Sequence, residues 1–143
     1  MLIYADTSAL LKRYIAEPAS DEFDEFLLTR GPLDISRLTL TEMRCALSRR
    51  RRAAEIDAAI ETSAVAELRK DVLNGVLRVC PVNDSQVIEA YALIESLPGV
   101  PLRTFDAIHL AIAREIAATA LVTSDKVQAQ AARAVGFTVF DFS

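Results

Sequence analysis

The hydrophobic positions of this chain switch repeatedly between two periods. Short apolar or β-branched runs predict strands: LIYA at 2–5, LDIS at 33–36, LRVCPV at 77–82, ALVT at 120–123 and FTVF at 137–140. Between them, apolar residues recur at helical spacing over about 8–16, 20–29, 40–52, 55–73, 84–97, 105–117 and 126–134. Strands that take turns with helices predict parallel pairing through right-handed crossovers, with helices covering both faces of the sheet. The expected fold class is α/β. Two consecutive helices between about 40 and 73 interrupt the alternation and predict an antiparallel helical arm, while SLPGVPLR at 96–103 reads as a loop feeding the next helix.

Composition narrows the setting. The 143 residues suit one domain spanning 1–143, and 52% hydrophobic with 25% charged residues describes a globular chain rather than a linker. A formal charge of -4 argues against bulk attraction to nucleic acid or to an anionic membrane, so any nucleic-acid role must come from a local site. Cys45 and Cys80 lie in apolar text with no Cys-x-x-Cys pairing, which predicts buried free thiols in a reducing cytoplasm and no zinc site. Asp6, Lys12 and Arg13 interrupt the first sixteen residues, so these do not read as a secretory signal, and no segment is apolar enough for a membrane span.

Four acids stand near predicted helix starts: Asp6 in LIYADTSALL, Glu42 in LTLTEMRCAL, Asp106 in LRTFDAIHLA and Asp125 in ALVTSDKVQA. Helices of a parallel sheet begin where strands finish, so such acids tend to gather along one edge, where α/β proteins keep their crevices. Capping explains each acid taken singly. Thr39 and Glu42 match a capping box, Asp125 and Gln128 a related start, Asp6 suits an N-cap, and Asp106 suits a helix dipole behind a capping Thr104. Capping does not require acids inside such apolar text. If they converge, two carboxylates 4 Å apart repel by ~4 kcal/mol at an effective dielectric of 20. Protonation of one acid would relieve this; four oxygen donors without an adjacent His/Cys set point to a hard dication, Mg²⁺ or Mn²⁺, suited to phosphoryl chemistry.

The strings YADTSALLKRY, LTLTEMRCAL, LRTFDAIHLA and LVTSDKVQAQAARAVGFTVFDF, in that order, resemble a PIN-domain ribonuclease of the VapC toxin type, the nuclease half of a toxin–antitoxin pair. The resemblance runs essentially end to end. It implies a three-layer α/β/α sandwich and a Mg²⁺- or Mn²⁺-dependent endoribonuclease. By motif, Asp6 and Asp106 would be the principal metal ligands, with Asp125 completing the metal site directly or through water. Glu42 would hold or orient a water on the metal, and Ser8 would support the site. The resemblance further implies a homodimer inhibited by a VapB-like antitoxin that alone contacts operator DNA.

Other residues invite chemistry less strongly. Arg49–Arg52 near a helix C-terminus reads as a solvated, dipole-complementing run. His109, one turn after Asp106 in AIHLAIA, reads as packed or hydrogen-bonded rather than catalytic. Lys12, Arg13 and Arg103 lie near the expected edge and suit phosphate contacts. Two alternatives from other classes are a phosphoaspartyl phosphatase or receiver, disfavoured because Ser8 stands where the phosphatase needs a second acid, and a non-catalytic module that only pairs with an antitoxin. A free-standing PIN nuclease without antitoxin is a third.

Overall fold

A computed structural model describes residues 1–143. The chain runs β1 (Ile3–Ala5), α1 (Thr7–Tyr14), α2 (Ser20–Arg30), β2 (Leu33–Ser36), α3 (Arg37–Arg52), α4 (Ala58–Leu73), β3 (Leu77–Cys80), α5 (Asp84–Ser96), α6 (Thr104–Glu115), β4 (Ala120–Thr123), α7 (Lys126–Ala134) and β5 (Thr138–Asp141). The five strands form one sheet in the order β3-β2-β1-β4-β5, and every pairing is parallel. The expected α/β class is the observed one.

Side-chain alternation along the strands builds two cores. Ile3, Ala5, Leu33, Ile35, Ala120 and Val122 face one side, where they meet Leu10 of α1, Phe23 and Leu27 of α2, Met43 and Leu47 of α3, and Leu68 of α4. Tyr4 and Leu121 point the other way, into Leu93 of α5, Ile108, Leu110 and Ile112 of α6, and Ala131 and Ala132 of α7. The result is a three-layer α/β/α arrangement. The central strand β1 is buried on both faces, which is why its text is apolar throughout. The expected arm is the pair α3 and α4, which folds back against α1, β2 and β3.

Two local expectations fail. Helix α3 begins at Arg37, directly after β2, because Ser36 and Thr39 form a reciprocal capping box there. Cys45 is exposed rather than buried: Met43, Ala46 and Leu47 take the core-facing positions of α3 and leave Cys45 open to solvent. Cys80, a free thiol, is half-buried and donates to the Ile35 carbonyl at 3.1 Å.

Asp71, buried near the end of α4, ties that helix to α1. It accepts from Arg13 Nε at 2.9 Å and from a second Arg13 nitrogen at 3.3 Å, and from the Tyr14 hydroxyl at 2.7 Å. Burial pushes the Asp71 carboxyl up, but the Arg13 and Tyr14 hydrogen bonds with the Arg13 charge outweigh it and hold it below its usual value. Asp71→Ala is expected to lower the unfolding free energy at pH 7 by about 2 kcal/mol, read by urea denaturation. The contribution of a depressed acid is complete above its unfolded pKa, about 3.9, and is lost as pH falls through the lower folded value. Wild-type and variant stabilities are therefore expected to converge in strong acid.

Candidate active site

The strand order reverses at the centre of the sheet. From β1 the chain builds outward to β2 and β3, then returns to place β4 on the other side of β1, and the crevice at such a switch point lies beyond the carboxyl ends of the strands. Asp6 leaves β1 there as the N-cap of α1, and Asp125 leaves β4 there as the N-cap of α7. Helix α6 ends just before β4 begins, so its first turn, with Asp106, reaches back to the same edge. Glu42 enters from the second turn of α3. All four acids and Ser8 line one cavity of about 510 Å³, together with Thr7, Cys45, Arg49, Arg103, Phe105 and His109.

Asp6 is 3% exposed and held on both oxygens. Its Oδ1 accepts from Ser8 Oγ at 2.7 Å and from the Ala9 amide at 3.3 Å; its Oδ2 accepts from Thr123 Oγ1 at 2.7 Å. Ser8 Oγ in turn accepts from the Ser124 amide at 2.9 Å, stitching the ends of β1 and β4 together. Asp125 Oδ1 caps α7 by accepting from the Gln128 amide at 2.9 Å. Glu42 Oε1 accepts from Thr7 Oγ1 at 2.8 Å and from His109 Nε2, leaving Oε2 without a partner in the chain.

His109 is 1% exposed and uses both ring nitrogens. A carboxylate only accepts, so Nε2 carries a proton toward Glu42, while Nδ1 lies 2.7 Å from Tyr4 Oη. Tyr4 Oη donates to Ser36 Oγ at 2.9 Å. A buried polar chain thus runs from the α3 cap through Tyr4 and His109 to Glu42. Tyr4, Thr7 and Thr123 were invisible as site residues in the sequence, where a tyrosine in a strand and threonines at element ends have ordinary explanations.

Asp106 differs from its neighbours. Its side chain accepts no hydrogen bond; only its backbone carbonyl is engaged, by Gln128 Nε2 at 3.0 Å. Burial first, then the charges of Asp125 and Asp6, push its carboxyl up to about 6. Burial also raises Asp6, against the opposing pull of His109, Thr123, Ser8 and Ala9. Burial pushes Glu42 up as well, but the hydrogen bond and electrostatic pull of His109, with Thr7, outweigh it and leave Glu42 below its usual value. No three of the acids converge tightly enough to form a ready-made all-protein cage. Four carboxylates against two guanidiniums leave the cavity with excess negative charge, and an all-oxygen donor set fits Mg²⁺ or Mn²⁺, which are commonly held by one or two carboxylates with waters filling the shell.

Several single-residue expectations change. Glu42 is not the far end of a capping box, because Ser36 takes the cap and Thr39 the third helical position, which frees Glu42 for the cavity. Thr104 is the first helical residue of α6 rather than its cap; Arg103 holds that position and makes no side-chain capping bond. Lys12 is buried and donates to the Pro18 carbonyl at 2.6 Å, and Arg13 is committed to Asp71, so neither faces the acidic cavity. Within the arginine run, Arg50 pairs with Glu17 and Glu55, whereas Arg49 lines the cavity without an ion-pair partner.

The PIN domain family model matches residues 3–134. Over 95% of this chain and 93% of the relative, the sequence is 33% identical to Ribonuclease VapC47 of Mycobacterium tuberculosis. The fold is similar to that of Mycobacterium tuberculosis VapC20, described as a Sarcin-Ricin loop cleaving toxin, with a TM-score of 0.74 and 20% identity over 95% of this chain and 96% of that one. It is also similar to DNA-bound VapBC from Salmonella typhimurium, with a TM-score of 0.67 and 20% identity over the full length of both chains. The chain belongs to the PIN-domain family, in its VapC-type branch.

Proposed function

We propose that the chain, one PIN domain over 1–143, is a VapC-type toxin: a Mg²⁺- or Mn²⁺-dependent endoribonuclease held in check by a VapB-like antitoxin. The observation that carries this reading is Asp106, a half-buried carboxylate with no hydrogen-bond donor, beside Asp125 and Asp6 in one cavity. Asp6, Asp106 and Asp125 would hold the metal. A bound dication supplies Lewis-acid polarisation of phosphate oxygens and lowers the pKa of water.

The chain's own residues do the rest. Ser8 and Thr123 fix both oxygens of Asp6. Thr7 and His109 fix Oε1 of Glu42, so its free Oε2 accepts the proton of the attacking water. Water attacks phosphorus in line, the bond to the 3′ oxygen breaks, and that oxygen takes up a proton from solvent, giving 3′-hydroxyl and 5′-phosphate ends. The VapC relative supports ribonuclease chemistry, and the similarity to DNA-bound VapBC supports an antitoxin partner; in this reading operator DNA is contacted only through that antitoxin. A homodimer and a cytoplasmic location complete the reading.

Three outcomes are expected. Asp6→Asn lowers Mg²⁺-dependent cleavage of total RNA roughly 100-fold or more, with the circular dichroism spectrum unchanged; undiminished cleavage would remove the central residue. Tyr4→Phe keeps the ring in the core but removes the oxygen beside His109, lowering kcat about 10-fold with little change in KM. The third outcome concerns pH. A folded-state pKa raised to about 6 means the native protein binds more protons than the unfolded chain between about pH 4 and 6, so metal-free stability falls as pH rises through that window. Asp106→Asn is expected to flatten that fall, melting above wild type at pH 7 without metal and gaining less from added Mg²⁺ in differential scanning calorimetry.

A further inference from the structure

The rim of the acidic cavity carries side chains the proposed chemistry does not use. Phe105 sits in the first turn of α6, next to Asp106, and is 54% exposed. It is the one large apolar residue lining the cavity that stands open to solvent; Leu11 is buried and Leu38 half-buried. The chain's ring–ring and guanidinium–ring pairs lie elsewhere, at Tyr4, Tyr14, Phe23, Phe26, Phe140 and Phe142. Phe105 is in none of them, so no ring or guanidinium of the chain stacks on it.

Arg103 and Arg49 line the same cavity, and neither has a carboxylate partner, although seven other arginines and lysines of the chain are ion-paired. An aromatic ring open to stacking, in an acidic pocket that two unpaired guanidiniums also line, is chemically mixed. A protein partner favours contiguous apolar surface with charge at its rim, whereas single-stranded nucleic acid pairs aromatic platforms with cations along its backbone. Stacking also tolerates any base, because each has a π-face.

Resting on the nuclease reading above, we infer that Phe105 is a stacking platform for an unpaired RNA base next to the scissile phosphate, with Arg103 and Arg49 gripping the flanking phosphates. The substrate is then a strand whose base is free to leave its stack, a loop or a single-stranded segment. Continuous duplex cannot offer that base without unpairing.

The test uses the full chain and a single-stranded RNA oligonucleotide carrying 2-aminopurine, titrated in Ca²⁺ so that binding is read by fluorescence without requiring turnover. Phe105→Ala is expected to weaken binding roughly 10-fold and to abolish the stacking-dependent fluorescence change, while Phe105→Trp and Phe105→Tyr retain both. Phe105→Leu, which keeps apolar bulk without a π-face, is expected to behave like the alanine variant. Replacing Arg49 and Arg103 together is expected to reduce the slope of log K against log salt by about 1.4. The inference is overturned if Phe105→Ala binds like wild type, if Phe105→Leu binds like wild type, or if Phe105→Ala instead loses affinity for a protein partner or a second copy of the chain with RNA binding intact. Failure of the nuclease reading looks different: a wild type that binds the probe through Phe105 but cleaves no RNA keeps the platform and loses the enzyme.

Discussion

Like charge crowded into a half-buried space is the constraint on which this molecule turns. Asp6, Asp106 and Asp125 leave three separate elements and line one cavity at the carboxyl edge of a parallel sheet, where burial makes the ionised forms of Asp6 and Asp106 costly. Hydrogen bonds from Ser8, Ala9 and Thr123 offset that cost for Asp6. No hydrogen bond in the chain does so for Asp106, which has only the electrostatic pull of His109. A fold selected only for stability has no reason to keep an unpartnered acid there, since a neutral residue would remove the repulsion. Stored electrostatic cost of this kind marks a place prepared for a counter-charge.

The sheet topology creates the meeting point and the small polar residues tune it. Because β1 lies between β2 and β4, its C-terminal end adjoins the starts of α3, α6 and α7 as well as of α1. Alternation along β1 then sends Tyr4 to the α6 face, where it supports His109, while Asp6 one residue past the strand faces the cavity. One central strand thereby positions both an acid and the network that orients Glu42. The same burial that makes β1 a core element makes its exit a site.

Much of this was legible in the chain as text. The strand runs at 33–36 and 120–123 match observed elements residue for residue, because short apolar segments between turn residues have few other places to go. The four acids were legible for a related reason: carboxylates in apolar text stand out against caps set among polar residues. What could not be read was any feature decided by which way a side chain points. Glu42 looked like half of a capping box until Ser36 took the cap one turn earlier, and Arg49 looked like one of four solvated arginines until the pitch of α3 separated it from Arg50. His109 was read as packed and hydrogen-bonded, which it is, but its link to Tyr4 spans 105 residues of sequence and leaves no local trace.

On the proposed reading, the three aspartates share one cation. The most direct measurement is an anomalous difference map from a crystal of the protein grown or soaked with Mn²⁺, collected at the manganese edge. The expected map shows a peak within coordination distance of carboxylate oxygens from Asp6 and Asp106, with Asp125 reaching it directly or through water. A map with those carboxylates ordered and no manganese between them would contradict that reading.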